Sequence, residues 1–119
     1  MNWTLRIPKA SPSQNEFAFS NWRVAHRSKQ EWSLLIRAAR GFLDVPKATG
    51  KRRLTIVRHG FRALDVPNII GGAKGIIDNL VQFGLLVDDR PELMDLSARN
   101  EPLRRGEKPF TELILEEVA

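Results

Sequence analysis

The chain contains no cysteine among its 119 residues. It can therefore form neither disulfide bonds nor thiolate metal sites, and this composition suits a reducing compartment. No apolar run approaches the ~20 residues needed to span a bilayer, and the first residues lack the basic-then-apolar pattern of a secretory signal. We therefore expect a cytoplasmic protein that does not engage a membrane.

Acidic residues are fewer than basic ones. The chain has nineteen Lys and Arg residues and fourteen Asp and Glu residues, which gives a formal net charge of +5. A basic chain fits a negatively charged partner, and nucleic acid is the most common such partner, although many small basic proteins have none. The length and the 42% hydrophobic content indicate one globular domain spanning residues 1–119.

The apolar spacing predicts an α+β layer fold with the element order β-α-β-α-β-β. A capping box at Ser28 would start the first helix later, but the apolar spacing favours a start near Ser20. We expect Trp22 and Trp32 to pack in the core or at a dimer interface, with stacking on nucleic-acid bases as the alternative. Strands are predicted at residues 3–7, 54–64, 94–100 and 110–118, and helices at about residues 20–40 and 73–83.

Three finer expectations concern the connections. Pro67 should hold Val66 extended and close the second strand. The apolar residues 85–87 should form a short strand before Asp88 and Asp89. The polar, basic residues 104–108 should form the turn of a final hairpin.

Aspartates gather around one lysine in the middle of the chain. Lys74 and Asp78 lie four residues apart on one helix face, Asp65 ends a predicted strand, and Asp88 and Asp89 follow the helix. In the simpler interpretation, Asp78 pairs with Lys74 and the last two aspartates are turn residues. In the functional interpretation, the carboxylates hold Mg²⁺ or Mn²⁺, and the lysine stabilises charge on a phosphate.

The glycine-flanked lysine in "GGAKG" does not predict a nucleotide cofactor. Gly75 follows Lys74 where a P-loop has the Ser or Thr hydroxyl that binds Mg²⁺. His26 and His59 are far apart in sequence, which does not favour a paired metal or catalytic role.

The run "DVPNIIGGAK…D…DD" resembles the signature of the RusA family of Holliday-junction resolvases, which reads Asp-x-Asp-Asn, then Lys, then Asp, then Asp-Asp. Upstream, "SPSQNEFAFSNWRVAHRSKQEW" is similar to the family's Asn-Trp helix with its basic face. The resemblance spans about residues 11–96. It implies a homodimeric endonuclease that requires Mg²⁺ or Mn²⁺, cuts branched, four-way DNA junctions, and is often encoded by phages or prophages.

The resemblance also implies roles for single residues. Asp65 matches the first metal-site aspartate, Lys74 the catalytic lysine, and Asp89 the later essential aspartate, so the catalytic set is Asp65, Lys74 and Asp89. Asn68, Asp78 and Asp88 match supporting positions, with Asp88 a further candidate metal ligand beside Asp65 and Asp89.

The chain departs from the family pattern at one position. Pro67 stands where the family has its second aspartate, so one ligand carboxylate is missing and the local backbone is stiffer. Asp88 or the side-chain carbonyl of Asn68 could fill the vacancy. Two hypotheses follow: a metal-dependent junction endonuclease, or a non-catalytic branched-DNA binding module that has kept the basic surface.

Basic residues cluster on the first helix, before the second strand and near the final turn. Phosphate contacts from such residues give affinity without sequence readout, although any one of them could simply be solvated. The candidate DNA-binding residues are Arg23, Arg27, Lys29, Arg52, Arg53, Arg104 and Arg105.

Overall fold

A four-stranded mixed sheet forms the centre of the fold. In the computed structural model, which describes residues 1–18 and 21–118, the strands lie in the order β1-β4-β2-β3. β2 and β3 are parallel, whereas β4 is antiparallel to both β1 and β2. The strands are β1 (Asn2–Ile7), β2 (Arg52–Gly60), β3 (Met94–Pro102) and β4 (Phe110–Glu117).

The helices pack on one face of this sheet. Alternate strand residues such as Leu5, Leu54 and Leu113 are buried against Ile36 and Leu80 of the helices, as the two-residue period of a half-covered strand requires. The domain is therefore α+β, as predicted. The helices are α1 (Asn15–Ala18), α2 (Trp22–Arg40), α3 (Val66–Gly71) and α4 (Lys74–Gln82).

The two main helices are confirmed, with one correction to their apolar stripes. Asn21 caps α2 by accepting a hydrogen bond from the Arg23 N–H, so the helix starts early; Ser20 itself lies outside the described residues. Trp32 is buried, but Trp22 is 71% exposed, so a core position for Trp22 is wrong. Residues 21–27 are all exposed, and the first residues of α2 that are half-buried are Ser28 and Lys29.

The predicted final hairpin is wrong. β4 lies between β1 and β2, and β3 pairs with the other edge of β2. Leu113 and Leu115 of β4 are fully buried, whereas β3 is mostly half-exposed. The more apolar strand thus occupies the centre, and α3 and α4 form the crossover that a parallel β2–β3 pair requires.

The connection around Pro67 also differs from the prediction. β2 ends at Gly60 rather than at residue 64, and Val66 and Pro67 begin the short helix α3 instead of holding an extended segment. Proline is tolerated in a first helical turn because its missing N–H would be unpaired there.

Residues 85–87 form bends and no strand, with Leu85 and Leu86 buried. Among the described helices, none combines the length and apolar character that crossing a membrane would demand.

Candidate functional site

Asp78 joins two lysines at the contact between α2 and α4. Its Oδ2 atom accepts hydrogen bonds from Lys74 Nζ at 3.4 Å and from Lys29 Nζ at 3.3 Å. The first contact is the predicted pair along one helix face, and the second comes from α2. Because two ammonium groups face one carboxylate, the cluster keeps an excess positive charge. The Lys74 side chain is 82% exposed and can reach a ligand in solution.

Asp89 shares a cavity with this pair. The cavity measures about 270 Å³ and has apolar walls from α3, α4 and β3, including Ile77 and Leu96. Lys74, Asp78 and Asp89 all line it, although Asp89 comes from the segment between α4 and β3. The structure thus brings together three of the six residues that the sequence assigned to the catalytic and supporting set.

Asp65 and Asn68 lie at the start of α3. Asp65 is the N-cap, and its Oδ1 accepts a hydrogen bond of 2.8 Å from the Asn68 backbone N–H. The Asn100 side chain donates to the Leu64 carbonyl, which ties the preceding loop to β3. Neither Asp65 nor Asn68 lines the cavity that Asp89 shares with Asp78.

Asp88 is engaged within its own turn. Its Oδ1 accepts the Asp89 backbone N–H at 2.7 Å, and its Oδ2 pairs with Arg90 Nε at 2.9 Å. The hydrogen bond from the Asp89 backbone, aided by the Arg90 guanidinium, holds the pKa of the Asp88 carboxyl below its usual value. Both carboxylate oxygens of Asp88 thus already have partners, which favours a turn-forming role over a ligand role.

The arrangement fits a partial site for a hard cation. Within residues 1–18 and 21–118, no three Asp, Glu, His or Cys side chains are grouped so that they could hold a metal ion. Mg²⁺ is nevertheless often bound by one or two carboxylates together with substrate phosphates. Asp78 and Asp89 provide two carboxylates around one cavity, a number with which Mg²⁺ is often held, although Lys29 and Lys74 already share one oxygen of Asp78.

The candidate DNA-binding residues have different surroundings. Arg23, Arg27 and Arg53 are exposed on α2 and β2, and Arg104 and Arg105 are exposed between β3 and β4. Arg52 is only 1% exposed, and its guanidinium donates to the carbonyls of Leu85 and Pro46. Because the Arg52 guanidinium is buried and bonded to these carbonyls, it does not belong to the proposed DNA-binding surface.

Two features of the site were missed from the sequence. Lys29 was predicted only as a DNA contact. Its pairing with Asp78 was missed because the two residues are far apart in the chain. Asn79 is buried on α4, and its Nδ2 donates to the Lys29 carbonyl at 2.9 Å, which fixes α2 beside the lysine pair. A polar residue within the apolar stripe of Ile76 and Leu80 was the signal that could have identified Asn79.

Comparison with known proteins gives no match, either to a family model or to a curated protein.

Proposed function

We propose that this protein is a metal-dependent, structure-specific endonuclease that resolves four-way DNA junctions by phosphodiester hydrolysis, as the resemblance to the RusA family implies. The observation that carries the proposal is the common cavity of Lys74, Asp78 and Asp89. A lysine and two carboxylates around one concave surface suit the binding of a phosphate together with a hard cation.

In the proposed hydrolysis each side chain of the site has a separate role. Asp78 and Asp89 would hold the cation, and Mg²⁺ or Mn²⁺, when bound, supplies Lewis-acid polarisation and an activated water. Lys74 is exposed and positively charged, so it can neutralise the charge that grows on the phosphate oxygens during hydrolysis. Lys29 shares Asp78 with Lys74 and adds a second positive charge beside this carboxylate.

The exposed arginines support binding to the DNA backbone. Arg23 and Arg27 lie on α2, the helix that also carries Lys29, so positive charge extends along α2 toward the candidate site. Contacts of this kind release counterions from DNA, so affinity falls steeply as salt concentration rises. A homodimer would present two such surfaces to a four-way junction, which itself has two-fold symmetry.

A non-catalytic branched-DNA binding module is the second candidate. Pro67 stands where the RusA pattern has an aspartate, so the carboxylate of that position is missing. One oxygen of Asp65 accepts the hydrogen bond that caps α3. Both observations weaken a metal site at the start of α3 while leaving the basic surface intact.

A competition experiment tests junction recognition, which both candidates require. Labelled four-way junction is bound by the full-length chain and challenged with unlabelled junction or with linear duplex of the same sequences, at several salt concentrations. We expect the junction to compete at least tenfold better, and affinity for both to fall with salt. Equal competition by linear duplex would overturn both candidates. Metal-dependent nicking then separates the endonuclease from the binding module.

A further inference from the structure

The first two turns of α2 are exposed on every side, and they carry a tryptophan. Residues 21–27 are all exposed, and the Trp22 side chain is exposed while Trp32, on the same helix, is fully buried. Tryptophan is enriched where proteins bind their partners, because its rigid ring offers a large contact area. Trp22 is therefore a candidate contact for a partner of this protein.

The charges around Trp22 indicate the chemistry of that partner. Between residues 17 and 30 the chain has no Asp or Glu and has three cations, Arg23, Arg27 and Lys29. The Arg23 guanidinium carbon lies 5.7 Å from the centre of the Trp22 ring, and Arg27 is exposed one turn further along. An accessible aromatic ring among cations suits nucleic acid, because the cations contact phosphates and the ring stacks on a base.

Trp22 lies on the side of α2 that leads to the candidate site. Trp22, His26 and Lys29 stand at i, i+4 and i+7, which places them on one face of the helix. The rings of Trp22 and His26 are in edge-to-face contact with centroids 6.1 Å apart, and His26 lines a cavity together with Lys74 and Asp78. Seven residues of helix span about 10 Å, which equals about three nucleotide steps of a DNA strand.

We propose that Trp22 stacks on the last base pair of an arm at the branch point of the junction and so determines specificity for branched DNA. This inference rests on the proposed function and adds a recognition residue to it. Inside a linear duplex, neighbouring pairs cover both faces of each base pair. When the arms of a junction unstack, the last pair of each arm has one uncovered face, although every base remains paired. Stacking there would hold the branch point within a few nucleotide steps of Lys29 and Lys74.

Trp22→Leu tests the stacking. The variant keeps every cation of α2, so its affinity for linear duplex, closed by hairpins to remove free ends, should equal that of the parent. Loss of one stacked ring predicts roughly 5- to 100-fold weaker binding of a fully complementary four-way junction, and Trp22→Phe should restore most of that loss. Equal junction affinity of Trp22→Leu and the parent would overturn the stacking proposal. A parent that binds junction and closed duplex equally would overturn the proposed function instead.

Phe42→Leu is the matched control. Phe42 is 93% exposed, just beyond the other end of α2, and it follows Arg40 by two residues. The control therefore removes an accessible ring near a cation at the far end of the same helix. We expect its junction affinity to equal that of the parent. A loss as large as that of Trp22→Leu would show that any exposed ring contributes, and it would overturn the assignment to Trp22.

A second copy of the chain is the competing partner for Trp22, and light scattering without DNA distinguishes it. Stacking on DNA predicts the same molar mass for Trp22→Leu and the parent. A lower mass for the variant would assign Trp22 to an interface between copies and overturn the proposal. Circular dichroism should show all variants folded because the substituted side chains are exposed; Trp22→Gln replaces Trp22→Leu if that variant does not fold.

Discussion

Asp89 and Lys74 are the residues whose proposed chemistry is easiest to separate from folding, because both are exposed. We expect Asp89→Asn and Lys74→Ala to slow metal-dependent junction cleavage by at least ~100-fold. Junction binding should persist in both variants, and it should tighten in Asp89→Asn because a carboxylate near the DNA phosphate is removed. Single-turnover cleavage and a binding titration measure the two effects separately.

Asp44→Asn is the control for the charge change in Asp89→Asn. Asp44 is also exposed but follows α2, outside the cavity that contains Lys74 and Asp89. Its variant should cleave and bind like the parent. If Asp44→Asn and Asp89→Asn behave alike, net charge explains the result and Asp89 has no special role.

Pro67→Asp tests whether the departure from the family pattern removed a metal ligand. The residue is exposed in the first turn of α3, where a new carboxylate would interact favourably with the helix N-terminus. We therefore expect little loss of stability, within about 1 kcal/mol. If position 67 is a ligand position, Mg²⁺ binding or cleavage should also improve by ~10–100-fold. Pro67→Asn controls for side-chain size and for the restored N–H. A folded Pro67→Asp variant with unchanged metal affinity would show that position 67 is not a ligand position.

At the scale of elements, Asp65 caps α3 and is also a predicted metal ligand. As the N-cap of α3 it accepts the Asn68 N–H, so Asp65→Ala should reduce the free energy of unfolding by about 1 kcal/mol. Asp65→Asn keeps a capping oxygen and should unfold like the parent in urea. If Asp65 is also a metal ligand, both variants should lose cleavage; if it is only a cap, Asp65→Asn should cleave normally.

Local patterns predicted the two longer helices, α2 and α4. The apolar spacing of α2 and α4 is contained within each segment, and Gly84, with a φ of 77°, ends α4 as expected for a glycine beyond a helix C-terminus. The helix α3 was missed because the sequence Asp-Val-Pro-Asn was interpreted as extended, when it is an N-cap followed by a proline in the first turn. The predicted final hairpin was wrong because the pairing of strands depends on how each strand is buried in the whole sheet. The turn residues between β3 and β4 carry no information about that burial.

The candidate site was only partly predictable for the same reason. The Lys74–Asp78 pair follows from helical spacing, and the structure contains it. The position of Asp89 beside that pair depends on how the chain returns from α4 to β3. The second lysine on Asp78, Lys29, depends on the packing of α2 against α4, and the burial of Arg52 depends on carbonyls from two loops. Contacts between distant segments of this kind have no signature in a single sequence.

At the scale of the whole molecule, a homodimer remains a prediction. A four-way junction offers two equivalent cleavage positions related by two-fold symmetry, and one copy of the chain offers one candidate site. We expect light scattering to give twice the 13.5 kDa mass of one chain at micromolar concentration. A stable monomer under these conditions, with junction cleavage intact, would contradict the symmetric arrangement.

Cleavage of a synthetic four-way junction tests the proposed function most directly. Each of the four strands is labelled in turn, and the junction is incubated with the protein in Mg²⁺, in Mn²⁺, or with excess chelator. The endonuclease proposal predicts nicks in two opposing strands that require the metal, vanish with chelator, and vanish in Asp89→Asn. A junction that is bound tightly but stays uncut in both metals would contradict it and leave the non-catalytic binding module.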